Sequence, residues 1–468
     1  MAKILIFFDH DVTIRHFLKS GSLSEIYKKH DVETIFYDSG KEKNKFILTD
    51  LKTLDLKTYE KFYVSRKRLG KWYHIFVPSV LNINRKSSYY KAVFEQMKAS
   101  HKNKIFWFYW FMSLPILFYF YKKFILFTNS YNKDLENFIV KKNPDLIIHP
   151  SLLAGMFVND LSIISKSIKR PFLLLMNSWD NCSNKASLAE NPTILGVWGP
   201  QSYSPAKTYL GMNEKNIKIV GPAQFDIYKH GVQKDKKSLH KKFKVPLDKK
   251  IYVFCGGSKG FKEIYQLQIL DKAITLGKIP KIHILYRPHP WRGTLIDEPF
   301  LLDLKLKHVS LDPTMKDFYT NLKSKPYPGL FVTDYQDSKD LLDLVSGVLS
   351  PLSTMLIEAI LNGKPCITIF PDKNKDLKKH NFTNILKELV YFKEFISNDL
   401  ILTCDDSDTL INKTNELIKL SKNTKFSLKL IQHSKYFVQF PKPNYKINIL
   451  NICDTMLKNS KVEIINEN

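Results

Sequence analysis

The chain has 468 residues, 44% hydrophobic and 25% charged, and its 72 Lys and Arg against 45 Asp and Glu give a formal net charge of +27. That length predicts two or more domains with full cores, and the composition excludes a disordered chain. Five cysteines stand far apart with no Cys-x-x-Cys pair, which argues against a zinc site or a disulfide framework and fits a reducing cytoplasm. The positive charge points to an anionic partner, but lysines run through nearly every segment and no nucleic-acid-binding motif is present. An anionic membrane surface or another anionic ligand is therefore expected as partner, and nucleic acid is not.

Ala2 to Phe8 reads as an apolar strand broken only by Lys3. Without a basic leader and cleavage site it is expected as a first core strand, not as a signal peptide. Asp9 and His10 follow at its carboxyl end, then a helix over Ile14 to Lys29 and a strand over Val32 to Tyr37. This is a βαβ start without Gly-x-Gly-x-x-Gly, which counts against a dinucleotide-binding oxidoreductase. Asp9 or His10 could serve as a general base; a helix-capping or structural role for His10 is the alternative.

Ile105 to Phe127 is dense in aromatic residues and uncharged as far as Tyr121. A spanning helix needs about 20 apolar residues, and Pro115 interrupts this run. Lysines on both flanks and the many rings favour a segment lying in the membrane interface. A single span and a buried core helix are the alternatives. Beyond it, Asn132 to Lys142 reads as a helix, and Leu146 to His149 and Phe172 to Met176 as strands. The second of these ends in Asn177-Ser178-Trp179-Asp180-Asn181, with Lys185 close by. Two amides and a carboxylate at a strand's carboxyl end are not a core pattern, so Asp180 is the leading candidate for an acceptor-side base; a turn tied by Asp180 and Asn181 is the alternative. Ile194 to Gly199 is a further strand.

Residues 229–250, rich in lysine, read as a linker with a small helix. A second domain opens with the strand Ile251 to Cys255 and the turn Gly256-Gly257-Ser258-Lys259-Gly260. Adjacent glycines let a backbone approach a ligand, and Lys259 could meet its phosphate. The strand Lys281 to Tyr286 runs into Arg287-Pro288-His289-Pro290-Trp291-Arg292-Gly293, where two prolines limit the directions of the His289 imidazole. Gly329 to Thr333 is a strand, Asp340 to Val345 a short helix, and Gly347 to Ser350 another strand. It meets Ser350-Pro-Leu-Ser353-Thr354, with Ser353 as N-cap of a helix that Gly363 ends. Strand, hydroxyl-rich turn and helix N-terminus together suit a phosphate, and Glu358, one turn further in, suits ribose hydroxyls. Cys366 to Phe370 is the next strand, and the tail beyond Asp372 reads as helical and basic.

Arg287-Pro-His289-Pro followed by Ser350-x-x-Ser353-Thr354-x-x-x-Glu358-Ala-x-x-x-Gly363-Lys-Pro resembles the carboxyl-terminal half of GT-B-type glycosyltransferases of bacterial surface polymers. The nearest groups are capsule-type Kdo transferases, polysialyltransferases and CDP-glycerol glycerophosphotransferases. The match runs from Ile251 to Phe370. Trp179-Asp180-Asn181 and Gly221-Pro-Ala-Gln-Phe-Asp226 likewise resemble segments that close the first domain in polysaccharide-type GT-B proteins. The resemblance implies an α/β fold of two Rossmann-like domains facing a cleft: residues 1–228 on the acceptor side, 251–440 binding the donor, and 441–468 as a terminal helix. It implies His289, Ser353 and Thr354 at phosphate and Glu358 at ribose; the residues themselves add Arg287, Ser350, Gly257, Ser258 and Lys259 as donor-site candidates.

The resulting expectation is an enzyme without cofactor or metal. It would move a sugar or polyol phosphate from a nucleotide-activated donor, CMP- or CDP-linked, to a lipid-linked or saccharide acceptor at the inner face of the cytoplasmic membrane. A UDP-sugar 2-epimerase-like isomerase and a non-catalytic membrane-surface binding protein are the alternatives.

Overall fold

The computed structural model describes every residue except 41–46, 48, 129–130, 153–154, 186–187, 233, 258–262, 290–304, 318–332 and 468, and for 66, 69–71, 184–185 and 461–467 the backbone alone. The chain divides into two compact units, Met1–Asp226 with Tyr436–Asn468, and Ile227–Lys435.

In the first unit, strands β1 (Lys3–Phe8), β2 (Asp31–Asp38), β3 (Tyr59–Tyr63), β4 (Leu146–His149), β5 (Phe172–Leu175), β6 (Ile194–Val197) and β7 (Ile217–Ile219) form one sheet in the order β3-β2-β1-β4-β5-β6-β7. Every pairing is parallel. Central β1 pairs Ile4 with Val32 on one side and Leu146 on the other, and Ile4 to Phe8 are all inaccessible to solvent. Continuous apolar runs of this kind are what a parallel sheet covered on both faces requires.

The second unit repeats the plan with β8 (Lys250–Cys255), β9 (Ile282–Arg287), β10 (Val309–Leu311), β11 (Val348–Ser350), β12 (Cys366–Ile369) and β13 (Leu402–Cys404) in the order β10-β9-β8-β11-β12-β13. It too is wholly parallel. Both sheets have Rossmann strand order, reversing direction once, between β1 and β4 and between β8 and β11.

Several local expectations are corrected. The helix expected over Ile14 to Lys29 is three pieces: Asp11–Thr13, a π-helix at Ile14–Lys19, and Ser24–Lys29. The break falls at Gly21, whose φ of +67° is left-handed, and Ser20 Oγ donates to the His16 carbonyl (2.6 Å) and Ser22 Oγ to that of Phe17 (3.1 Å) around it. The tail is not only helical, since β13 lies within it. The short strands β3, β7 and β10 were not expected: β3 is an edge strand with four of its five residues exposed, and β7 and β10 have three residues each. The strand expected over Gly329 to Thr333 falls almost wholly outside the described residues.

The aromatic run forms two helices, Asn103–Met112 and Pro115–Thr128, bent by 104° where Pro115 opens the second. Among the described residues no single helix is long and apolar enough to cross a membrane. A buried core helix is also not found, as no residue of Pro115–Thr128 is buried and only Phe106 and Tyr109 of its predecessor are.

Tyr436–Asn468 returns to the first unit. Gln439 N–H donates to the Trp198 carbonyl (2.9 Å), Trp179 meets Phe437 edge-on at 6.0 Å, and Trp198 packs on Phe225 at 5.4 Å. The helix Tyr445–Glu467 is tied by Asp454 to Lys29 (2.7 Å) and His30 (3.1 Å). Gly221 has a φ of +74°, and a Cβ placed on it would stand 2.7 Å from the Gln439 carbonyl oxygen. Gly221→Ala is expected to destabilise the first unit by roughly 1–3 kcal/mol, against about 1 kcal/mol for Gly211→Ala, which is also left-handed but open. Urea denaturation followed by tryptophan fluorescence checks this, since Trp72, Trp107, Trp110, Trp179 and Trp198 all lie in that unit.

Candidate functional site

In an open parallel sheet, ligands collect beyond the carboxyl ends of the strands at the point of reversal. For the second unit that point lies between β8 and β11, with β9 on the other side of β8. At a strand spacing of about 4.8 Å the three ends span about 10 Å.

The β8 end is shaped by Gly256, whose hypothetical Cβ would stand 2.7 Å from the His289 amide nitrogen and 2.9 Å from the Pro288 Cα. Only glycine lets the β8 and β9 loops approach so closely. The turn is held by Glu263, wholly buried at the start of the helix Glu263–Thr275. Its carboxylate accepts from the Gly257 N–H and from the Tyr286 hydroxyl (2.6 Å). Ser258 and Lys259 lie outside the described residues, as do Pro290, Trp291, Arg292 and Gly293. His289 is described and half-buried.

At the β11 end, Ser350 is buried and shares a hydrogen bond with Ser353 (Oγ to Oγ, 2.8 Å). Ser353 is the N-cap of the helix Thr354–Leu361 by backbone, yet its side chain makes no cap bond. Its hydroxyl is turned to Ser350 instead of back onto the helix, and the helix N-terminus keeps its dipole uncapped by a side chain. Thr354 is half-buried at the first helical position. Glu358 is buried and accepts from the Tyr228 hydroxyl, a partner the sequence reading did not anticipate. Burial pushes the Cys255 thiol up to about 12, opposed by Arg287 and reinforced by Glu358, Asp312 and Glu263.

Arg287 is placed differently from expectation. As the last residue of β9 it is buried, with Nη2 donating to Asp337 and Nε 3.4 Å from Asp312. Asp337 Oδ1 also meets Lys242 Nζ at 2.8 Å, and Lys242 and Lys234 share Asp340 at 2.8 and 2.5 Å. Burial pushes the Asp312 carboxyl up despite the guanidinium beside it. For Asp337 burial also raises, but Arg287 and Lys242 outweigh it and hold the carboxyl below the usual range. One nitrogen, Nη1, is buried without a hydrogen-bond partner among the described residues.

The first unit gathers polar groups at its own reversal. Asp9 is buried, accepts from the Met156 N–H (2.9 Å), and has Oδ2 3.9 Å from His149 Nε2. His149 Nδ1 bonds the Phe7 carbonyl at 2.9 Å, so that nitrogen carries the hydrogen. His10 Nδ1 accepts from the Val12 N–H (3.1 Å) and caps its short helix. His16 bonds the Asn177 backbone, linking the loop after β1 to the loop after β5. There Asn181 Oδ1 accepts from the N–H groups of Asn177 (3.1 Å) and Ser178 (3.0 Å), so the turn is tied by Asn181, with Asp180 buried next to it. Both π-helices among the described residues, Ile14–Lys19 and Asn181–Lys185, border this cluster. Lys185 is described by its backbone alone.

His149, His16, Glu263 and Tyr228 escaped the sequence reading. For His149 and Glu263 a signal existed: a polar residue at the carboxyl end of an apolar strand, and an acid opening a helix after a glycine pair. Tyr228 and His16 sit in irregular or bent segments where no periodicity marks them.

No family model and no curated protein sequence matches the chain. Solved structures do. An S. aureus protein, MnaA, solved with UDP, aligns over 98% of this chain and 97% of its own at 10% identity and TM-score 0.50. A UDP-N-acetylglucosamine 2-epimerase from Listeria monocytogenes, so described with reservation, aligns over 96% and 94% at 9% identity and TM-score 0.52. At these identities the likeness shows the fold, that of GT-B-type enzymes with two Rossmann-like domains.

Two outcomes are expected. Arg287→Met leaves Asp312 and Asp337 without their buried cation and should destabilise the second unit by about 3–5 kcal/mol, read as a lowered denaturation midpoint. Burial lowers the imidazoles of His149 and His16 below the usual 6.5. The unfolded chain then binds more protons than the folded one, so their share of stability is complete above 6.5 and falls as pH drops below it. A denaturation midpoint followed from pH 7 to 5 should decline, and His149→Gln should flatten the decline; ion-paired carboxylates act at lower pH.

Proposed function

We propose, from the GT-B-type fold of this chain, that it is a transferase taking a sugar or polyol phosphate from a nucleotide-activated donor, CMP- or CDP-linked, to a hydroxyl of a lipid-linked or saccharide acceptor. The observation that carries the reading is the convergence at the β8–β11 reversal. A glycine turn, the His289 loop, two hydroxyls and an uncapped helix N-terminus all sit at adjacent strand ends. Negative charge develops on the departing phosphate, and donors aimed at that position stabilise it.

In this reading His289, Ser353 and Thr354 bind the leaving phosphate, Gly257 lets the backbone come close, and Glu358 with Tyr228 faces the ribose. Arg287 contributes positive potential while anchored to Asp337 and Asp312. Ser350 orients Ser353 through their shared bond. On the acceptor side, Asp180, Asp9 or His10 takes the hydroxyl proton. Asp180 is the leading candidate of the three; burial lowers the pKa of His10 while Asp9 and Asp11 oppose this. Solved structures of this fold include one with UDP, which supports a nucleotide ligand.

A UDP-sugar 2-epimerase is the second reading, favoured by the name carried by the Listeria monocytogenes structure. A thermal-shift series with CMP, CDP, UMP, UDP and GDP separates them. A cytidine nucleotide at a hundredfold excess over its Kd is expected to raise the melting temperature of the second unit by about 5–10 °C. His289→Ala and Ser353→Ala should each weaken the affinity about tenfold, which at the same nucleotide concentration cuts that shift to about half. A response to UDP alone, with C2 inversion of UDP-N-acetylglucosamine in the absence of acceptor, would establish the second reading, and silence to all five would remove both.

A further inference from the structure

The helix Pro115–Thr128 is apolar on both of its long faces. Inward, Ile125 and Leu126 pack against Trp72, Ile75 and Ala189. Outward, at helical spacing, Ile116, Tyr119, Phe120, Phe124 and Phe127 are exposed by 75, 55, 64, 61 and 88%. A helix on the surface of a water-soluble domain carries polar residues on that side. The preceding helix adds Ile105, Trp107, Phe108 and Phe111, each exposed by 47–49%. Exposed apolar surface of this extent marks an interaction site.

The rings are presented by a braced elbow. Ser113, wholly buried at the bend, has its carbonyl bonded by Asn82 Nδ2 (2.8 Å) and its hydroxyl by Arg85 Nη2 (2.7 Å). His74 holds one residue of each helix, Tyr109 through Nδ1 (3.0 Å) and Tyr121 through its carbonyl (3.1 Å). The outward faces are thus fixed before any partner arrives.

Length and charge select the partner. Helices of 10 and 14 residues are about 15 and 21 Å long, short of a hydrocarbon core about 30 Å thick, and they are bent by 104°. From Arg66 to Thr128 the chain has twelve lysines and arginines and one acid, Glu95. Lys123 stands 4.4 Å from the Tyr119 ring centroid and Lys98 5.8 Å from that of Trp107, cations beside the exposed rings. A second copy seated on the same face would set this charge against itself. An anionic lipid surface answers the rings with acyl chain and the lysines with headgroup phosphate.

We propose that the elbow of Asn103–Met112 and Pro115–Thr128 is a monotopic anchor, inserting its outward rings into one leaflet of an anionic phospholipid bilayer. This goes beyond the transferase reading and does not depend on it. Flotation of the full chain with vesicles of phosphatidylcholine containing 30% phosphatidylglycerol tests it. Binding is expected to be at least tenfold stronger than to phosphatidylcholine alone, and to fall at least tenfold in Phe120→Ser/Phe124→Ser. Both positions are exposed, so the melting temperature and the nucleotide response of that variant should match those of the parent, which separates failure here from failure of the donor site. No binding to anionic vesicles, binding unchanged in the variant, or a dimer that the variant dissociates would each overturn the proposal.

Discussion

The crossover between parallel strands is right-handed, and the site follows from that constraint. Strand order runs outward from β8 through β9 to β10 on one side and from β11 through β12 to β13 on the other. Right-handed crossovers running in two such directions belong on opposite faces of a sheet. At such a reversal the loops leaving the two strands part, and the carboxyl edge between them is where a ligand can enter. Hydroxyls, backbone N–H groups and an imidazole can be set there at no cost to the apolar strands below. The same reversal between β1 and β4 leaves room for Asp9 beside His149.

Holding such groups in place requires charges that are themselves out of water. Glu263 has no solvent exposure, and it fixes a backbone turn on one side and the Tyr286 hydroxyl of β9 on the other. Arg287 does comparable work at the end of β9, joined to acids from the loop after β10 and from the helix Tyr335–Leu344. A buried ion pair adds little net stability over apolar packing, but loss of one partner is severe. The value of these pairs lies in fixing where three separate segments meet.

The buried strands and the helix at Ser353 were legible in sequence because their signals are local: apolar runs of four to eight residues, and a serine before a helical period. Edge strands such as β3 were not, since one face and one side are wet and the apolar signal vanishes. Arg287 shows another limit. Beside His289 its charge reads as an anion contact, and only the fold reveals that Asp312 and Asp337, 25 and 50 residues on, claim it first. Ser353 illustrates the reverse, a residue correctly read as N-cap whose side chain turns to Ser350, something spacing cannot express. The aromatic run was recognisable as unusual, but its outward and inward faces could be separated only once Pro115 was seen to begin a helix and not to interrupt one.

The return of Tyr436–Asn468 makes the second unit an insertion within the first. Lys29 and Asp454 meet across 425 residues of chain. At translation rates of about 5–20 residues per second, roughly 20–90 s separate the synthesis of the two partners. During that interval the first sheet exists without the helix that covers part of it, while the second unit, continuous in sequence, can already be complete. The chain order thus lets the inserted unit close before the unit that surrounds it, whose last helix is made after it.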